Sequence, residues 1–377
     1  MRNGRLMVVG GVEGSRRGWF VDFYPDGSHV RRASTSAMEL FGVEYSPDGR
    51  SLVVVADDDP SLTRSEVYRA RADGSGLRQL TNGPNDWSPT WSPDGRRMAY
   101  VHNYALTVMR ADGTRKRTVL PWTEVESVTW SADGRLVFSS WYDFETTDSL
   151  DRPDLWSVRP DGSGLRRLTA TDDVAEYTPD PSPDGALIAY EHRTGGGDPI
   201  TVHLMNADGT QDRELAEGAS PEWSPDGQWI AHAATAPGSY SVYGFVRPDG
   251  TVGPKVVLDD AFADTPTLRT KLTFSWQPWP GTTPSRLREL RVLVFGDTTV
   301  VRGRVAPSLP GHRVLASLRR PTDTGQALVA SRDTLTHDAG RFRIRLPRTG
   351  RSDCELTVRY TGDAGHLPSR RTIDLPC

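Results

Sequence analysis

Five stretches of the chain are near copies of one another: YSPDGRSLVVVA, WSPDGRRMAYVH, WSADGRLVFSSW, PSPDGALIAYEH and WSPDGQWIAHAA, beginning at residues 45, 91, 130, 181 and 223. A chain that repeats in this way builds one supersecondary unit several times, and each unit must cover its apolar face with the next. In Ser-Pro-Asp-Gly, proline supplies the fixed φ of the first central turn position, aspartate bonds its own backbone, and glycine accepts the left-handed conformation that follows. This is a β-hairpin turn, and the run after it, such as SLVVVA or QWIAHA, fits a strand buried on one or both faces.

A second series of turns interleaves with the first, with aspartates at 26, 73, 112, 161, 208 and 249, in steps of 47, 39, 49, 47 and 41 residues. Each follows an alternating run such as SEVYRA or TVHLMN, and most precede a polar strand such as LRQLT. Every period therefore reads strand, Ser-Pro-Asp-Gly turn, strand, loop, strand, Asp-Gly turn, strand. Four antiparallel strands at that period describe a propeller blade. The second series has six members and the first has five, and the missing strand lies at the far end, in KLTFSWQPWP, where Trp276 stands at the position of Trp91, Trp130 and Trp223. The expected fold is all-β: a six-bladed β-propeller closed by N- and C-terminal strands of one blade, with strand 272–277 completing the blade begun at residue 5, followed by a small β-sandwich.

The sequence W-S-P-D-G, an apolar strand, A-D-G-[ST] and L-x-x-L-T resembles the WD40-like repeat of TolB-type six-bladed propellers over residues 1–279. That resemblance implies a protein-binding propeller, or the propeller half of a prolyl-oligopeptidase-type peptidase. Residues 280–286 read as a Pro/Thr-rich linker, stiff and extended. About seven short strands follow in residues 287–377, which suggests a small β-sandwich. Within it HDAGRFRIRLP and VRYTGDAGHLPSR resemble bacterial immunoglobulin-like modules of secreted proteins.

Charge divides at the same boundary. Residues 287–377 hold 16 Arg and no Lys against 9 acids, a net +7, whereas the preceding residues hold 29 basic and 40 acidic residues, a net −11. No apolar run approaches the roughly 18 residues of a membrane-spanning helix. No secretory signal is evident at the start, which is expected to lie downstream of a leader. Pairing the last two strands to align their apolar faces sets Leu356 opposite Leu375, Val358 opposite Ile373, and Cys354 opposite Cys377. The expectation is a disulfide between the two cysteines of the chain, against the alternative of two unrelated cysteines, and with it an extracytoplasmic location.

No G-x-S-x-G elbow, H-E-x-x-H helix, phosphate-cradling glycine loop or EF-hand loop occurs, so no catalytic residue set and no cofactor is called for. The 91 residues after the linker cannot supply an α/β-hydrolase core, which weighs against a peptidase. His102 and His192 occupy the same place in their repeats and His232 another, a pattern read as structural because a metal needs several groups converging. The loops between blades and between second and third strands share one face. There Asp57, Asp58, Asp59, Glu124, Asp143, Glu145, Asp172 and Asp173 are interleaved with Trp87, Trp122, Trp141, Tyr142 and Tyr177. Solvated loop charge explains the acids alone. Acids beside aromatics on a rigid scaffold instead favour a protein or peptide partner and disfavour nucleic acid. The basic module suits an anionic cell-wall polymer or the acidic propeller itself. The expectation is a monomeric, non-catalytic binding protein of the cell envelope or exterior. The alternatives are a propeller enzyme of lyase or lactonase type with a channel metal, and a carbohydrate-binding platform of Trp87, Trp122 and Trp141.

Overall fold

The computed structural model describes residues 5–11, 18–27, 30–35, 38–57, 65–83, 85–121, 123–234, 242–258, 274–277, 286–295, 298–306, 313–322, 325–337, 341–347, 353–360 and 369–376. All the regular elements among them are strands. The chain divides into two compact units, residues 1–182 with 187–281, and residues 183–186 with 282–377.

In the first unit the repeat produces six four-stranded antiparallel sheets among the described residues. Sheet 1 joins Phe274–Trp276 to Leu6–Gly11, Gly18–Phe23 and Arg31–Thr35, with Leu6 opposite Trp276. Sheet 2 runs Glu39–Tyr45, Ser51–Asp57, Glu66–Arg71, Arg78–Gln79, and sheet 3 runs Asp86–Trp91, Arg97–His102, Ala105–Arg110, Arg117–Leu120. Sheet 4 is Val125–Trp130, Leu136–Tyr142, Ser149–Val158, Arg166–Arg167. Sheet 5 is Ala175–Pro181, Leu187–Arg193, Thr201–Asn206, Arg213–Glu217, and sheet 6 is Ala219–Trp223, Ile230–Ala233, Val242–Val246, Val252–Val257. Strands such as Ser51–Asp57 are buried almost throughout because both faces of each sheet are covered. One apolar cluster joins Val53 and Val67 of sheet 2 to Trp91 and Met98 of sheet 3, and another joins Val8 and Phe23 of sheet 1 to Tyr243 and Phe245 of sheet 6.

Each Ser-Pro-Asp-Gly turn is held by its serine. Ser224, fully buried, donates from Oγ to Asp226 Oδ1 at 2.7 Å and accepts the Trp229 N–H at 2.9 Å. Ser46 and Ser92 make the same pair of bonds. The second turn series packs against the preceding sheet: Gly209 has φ 90°, and a Cβ there would lie 2.3 Å from the carbonyl oxygen of Leu168. Only glycine fits a position that combines that dihedral with that contact.

Across the first strands, one side chain in each sheet accepts a backbone N–H of the next. Ser275 Oγ takes the Tyr45 N–H at 2.9 Å, Glu44 Oε1 takes Trp91 at 2.9 Å, and Ser88 Oγ takes Val128 at 3.0 Å. Ser127 Oγ takes Thr178 at 3.2 Å, Asp180 Oδ2 takes Trp223 at 2.6 Å, and Glu222 Oε1 takes Trp276 at 2.7 Å. A first strand has no hydrogen-bonded strand on its outer side, and these bonds satisfy donors that would otherwise be left over.

Among the described residues the second unit has seven strands in two sheets, Arg286–Phe295, Thr298–Ala306, Arg341–Pro347 and Gly325–Leu335, Arg313–Thr322, Asp353–Tyr360, Ser369–Pro376. One core, with Val301 and Ile344 from the first and Ala316 and Val358 from the second, lies between them. Arg286 already belongs to a strand, and residues 280–285 of the expected linker lie outside the described residues.

The expected register of the last two strands is corrected by two residues. Cys354 stands opposite Leu375, Leu356 opposite Ile373, and Val358 opposite Arg371. A slip of two keeps each side chain on its own face, so alternation alone does not discriminate the two registers. Cys354 is buried and disulfide-bonded, and Cys377 lies outside the described residues.

Two measurements check these contacts. Ser224→Ala should lower stability by about 1–3 kcal/mol in urea unfolding, and Gly209→Ala by at least as much, with an unchanged midpoint contradicting the assigned role. Titration of the native chain with a thiol reagent should find no free cysteine before reduction and two after it, and a free thiol in the native protein would exclude the Cys354–Cys377 pairing.

Candidate functional site

The loop face sorts the sequence-predicted acids into two groups. Asp57 and Asp143 are buried, whereas Glu124, Glu145, Asp172 and Asp173 are exposed. Asp143 caps its own loop, with Oδ1 accepting the Glu145 N–H at 2.8 Å, and Oδ2 receives Arg167 at 3.1 Å. It is therefore occupied by the fold. Asp58, Asp59 and Trp122 lie outside the described residues.

The aromatic residues are brought together in two places. Trp141 and Tyr177, from sheets 4 and 5, are half-buried and meet edge to face at 6.4 Å, and the Arg193 guanidinium sits 4.9 Å from the Tyr177 ring centre. Next along the face, Trp87 meets Tyr104 at 5.0 Å, and Tyr104 is 49% exposed. The Trp87 Nε1–H donates to the Glu126 carbonyl at 2.7 Å, which fixes the indole across the junction of sheets 3 and 4. Tyr142 turns to Phe144, which contacts the buried Trp156 at 4.9 Å and so belongs to the packing beneath the loop.

Behind the surface lies a buried carboxyl pair. Glu176, 1% exposed, accepts Thr169 Oγ1–H at 2.7 Å and is raised from the ordinary carboxyl range by burial, with Asp154 adding to the shift. Asp154 is held by Arg167, whose Nε lies 2.7 Å from Oδ2. Arg167 also reaches Asp143, so one guanidinium holds two acids, one in a strand and one in a loop.

The histidines fall to separate neighbours. His102 Nδ1 is 2.6 Å from Asp86 Oδ1, while His192 stacks on His203 at 3.9 Å and 3°. His203 Nδ1 is 3.1 Å from Asp212, which also accepts the Tyr190 hydroxyl at 2.7 Å. Burial lowers His192, with His203 adding to the effect, and burial lowers His232 to about 4. Among the described residues no three His, Cys, Asp or Glu side chains form a group with the geometry to hold a metal.

One set of acids was not among the expected site residues. Glu44, Asp180 and Glu222 share one place in their repeats, two residues before the turn serine, where Thr90 and Thr129 stand in two other sheets. Each of them is half-buried. Desolvation raises Glu44 to about 8 and Asp180 to about 7, and raises Glu222 well above the carboxyl range, with Asp180 and Glu44 adding to the rise at Glu222. The signal was present in the repeats as an acid in the column otherwise held by Thr or Ser.

No protein-family model matches the chain. It is 28% identical over 213 residues to an uncharacterised protein of Agrobacterium fabrum, covering 51% of this chain and 69% of that protein. It is 25% identical over 225 residues to an uncharacterised peptidase of Bacillus subtilis, covering 53% of this chain but only 30% of the peptidase's length. Among solved structures, TolB from Acinetobacter baumannii superposes with a TM-score of 0.60 at 18% identity, over 73% of this chain and 67% of that one. The chain thus has a TolB-like β-propeller fold.

The raised carboxyls give a test with a definite sign. A folded state that holds protons the unfolded chain has released loses stability as pH rises. The Glu44 contribution is therefore complete below its ordinary value of 4.5 and lost by about 8, and that of Asp180 is lost between 3.8 and about 7. Glu44→Gln keeps the acceptor oxygen and removes the titration. It should flatten the fall in unfolding free energy across this window, exceeding the parent at the alkaline end and matching it at the acid end, and parallel profiles would contradict the shift.

Proposed function

We propose that the chain is a non-catalytic recognition scaffold. Its six sheets are the blades of a ring closed where Phe274–Trp276 pairs with Leu6–Gly11, and the second unit is an immunoglobulin-like module. The ring reading is supported by the bond from Glu222 to the Trp276 N–H on one side of that strand and from Ser275 to the Tyr45 N–H on the other. The ligand of the loop face is a protein or peptide, and the protein works outside the cytoplasm as a monomer. The disulfide at Cys354 supports an oxidising compartment.

The observation that carries the binding role is the Trp141–Tyr177–Arg193 stack beside Trp87 and Tyr104. Trp, Tyr and Arg are the residue types that dominate binding energies at protein interfaces, and here they are pre-positioned by sheets rather than by free loops. The exposed Glu124, Glu145, Asp172 and Asp173 form its acidic border and favour a partner with basic residues at the rim.

A catalytic reading draws on Glu44, Asp180 and Glu222, whose raised values suit acid–base work. It is the weaker one because each of these acids commits an oxygen to a neighbouring backbone N–H.

Screening the full chain against a peptide library, followed by titration of the strongest binder, tests the proposal. Trp141→Ala and Tyr177→Ala should each weaken binding at least tenfold, about 1.4 kcal/mol, with the fold intact by circular dichroism. Binding unchanged in both variants, or no peptide bound at all while an oligosaccharide quenches tryptophan fluorescence, would move the function to the carbohydrate reading.

A further inference from the structure

The second unit carries an arrangement that its own fold does not use. Strand Arg341–Pro347 alternates strictly, with Phe342, Ile344 and Leu346 in the core and Arg341, Arg343 and Arg345 exposed. Register places Arg302 opposite Arg343 and Arg304 opposite Arg341. On its other side Arg302 stands opposite Arg291. Three guanidinium groups, Arg291, Arg302 and Arg343, thus lie in one row across three strands, all on exposed side chains.

Like charges directly opposed across strands are destabilising. The charged groups that act on Arg343 are Arg302 and Arg345, with no carboxylate among them, and they lower it from its ordinary value. A sheet surface accepts threonine or glutamine at such positions without this repulsion, so the row costs the fold stability and needs another reason. Along a strand alternate side chains recur at about 6.6–6.8 Å, and neighbouring strands lie about 4.8 Å apart. The result is a regularly spaced array of positive charge. At its margin Arg332, Asp333 and Thr334 of the neighbouring sheet join Arg343 and Arg345 around a cleft of about 280 Å³, in which three arginines outnumber the single carboxylate.

The chemistry of the ligand follows from three features. The segment uses 16 Arg and no Lys, and the guanidinium fork takes a carboxylate or sulfate through two parallel hydrogen bonds. A regular lattice suits a ligand whose charges recur along a chain, whereas the acids of a folded protein are irregularly placed. Among the described side chains, the outward positions Arg291, Leu293, Arg302, Arg304, Arg341, Arg343 and Arg345 include no aromatic ring, and single-stranded nucleic acid is bound by stacking its bases on such rings. We infer that this face of the second unit binds an extended acidic polysaccharide, with Arg302, Arg343 and Arg345 as its principal contacts.

The test uses the full chain and immobilised polygalacturonate as the carboxylate probe, heparin as the sulfate probe, and dextran and oligo-dT as comparisons, across a salt series. Arg302→Gln with Arg343→Gln should weaken binding to the acidic glycans at least tenfold and reduce its salt dependence. The same pair should leave the melting temperature unchanged or raise it, because repulsion is relieved. Replacing both by Lys retains the charge without the fork and should lose less. Arg50→Gln with Arg96→Gln, two exposed propeller arginines, should change binding less than twofold. An equal loss in this control, equal retention on dextran, tighter binding of oligo-dT, or a low-salt dimer dissolved by the variants without any glycan binding would each overturn the assignment.

Discussion

The interaction on which this architecture depends is the bond from a first-strand side chain to the backbone N–H of the next sheet. It recurs at all six junctions, through serine at Ser275, Ser88 and Ser127 and through a carboxyl at Glu44, Asp180 and Glu222. Apolar packing between sheets is non-directional and tolerates sliding. A hydrogen bond to one backbone donor does not, so the lacing sets how each sheet is seated against its neighbour. Where the acceptor is a carboxyl group, the enclosure that makes the bond effective also penalises ionisation, which accounts for the raised values at Glu44 and Asp180.

The lacing has a local cost. Ser88, Thr178 and Ser220 have φ of 49°, 45° and 52° although each precedes a proline and none is glycine. Register shifts occur at the same places, between Trp87 and Thr90, between Tyr177 and Asp180, and between Ala219 and Glu222. These bulges turn the strand so that Thr90, Asp180 and Glu222 meet the neighbouring sheet, while Trp87 and Tyr177, one residue before the bulge, are presented on the loop face. The strain is thus placed between the inter-sheet bonds and the Trp87 and Tyr177 side chains.

Much of the fold was legible because the turns announce it. Asp-Gly and Ser-Pro-Asp-Gly fix the ends of strands, and the position of Trp276 in the repeat pointed to the pairing of a distant strand with the first one. Candidate site residues were harder to read. A loop acid such as Asp143 looks the same in sequence whether it faces a partner or caps its own loop and pairs with Arg167, because the arginine lies 24 residues away. The first-strand acids Glu44, Asp180 and Glu222 were overlooked since charge in a buried-strand pattern reads as an interruption rather than as an acceptor for a backbone donor in the next repeat. The terminal hairpin was misread by two residues because a shift of a full pleat leaves the apolar pattern unchanged.

The inter-sheet bonds lie on the first strands, whereas Trp87, Tyr104, Trp141 and Tyr177 lie at strand ends and loops, so the proposed recognition surface is separate from the contacts that hold the sheets together. Six inter-sheet bonds seat the sheets against one another, and amide hydrogen exchange on the native chain measures them directly. The N–H groups of Tyr45, Trp91, Val128, Thr178, Trp223 and Trp276 should exchange only through global opening of the propeller, with one common protection free energy. Exchange of Tyr45 or Trp276 at the rate of a frayed terminus, while the others stay protected, would show that the ring is open at the strand Phe274–Trp276.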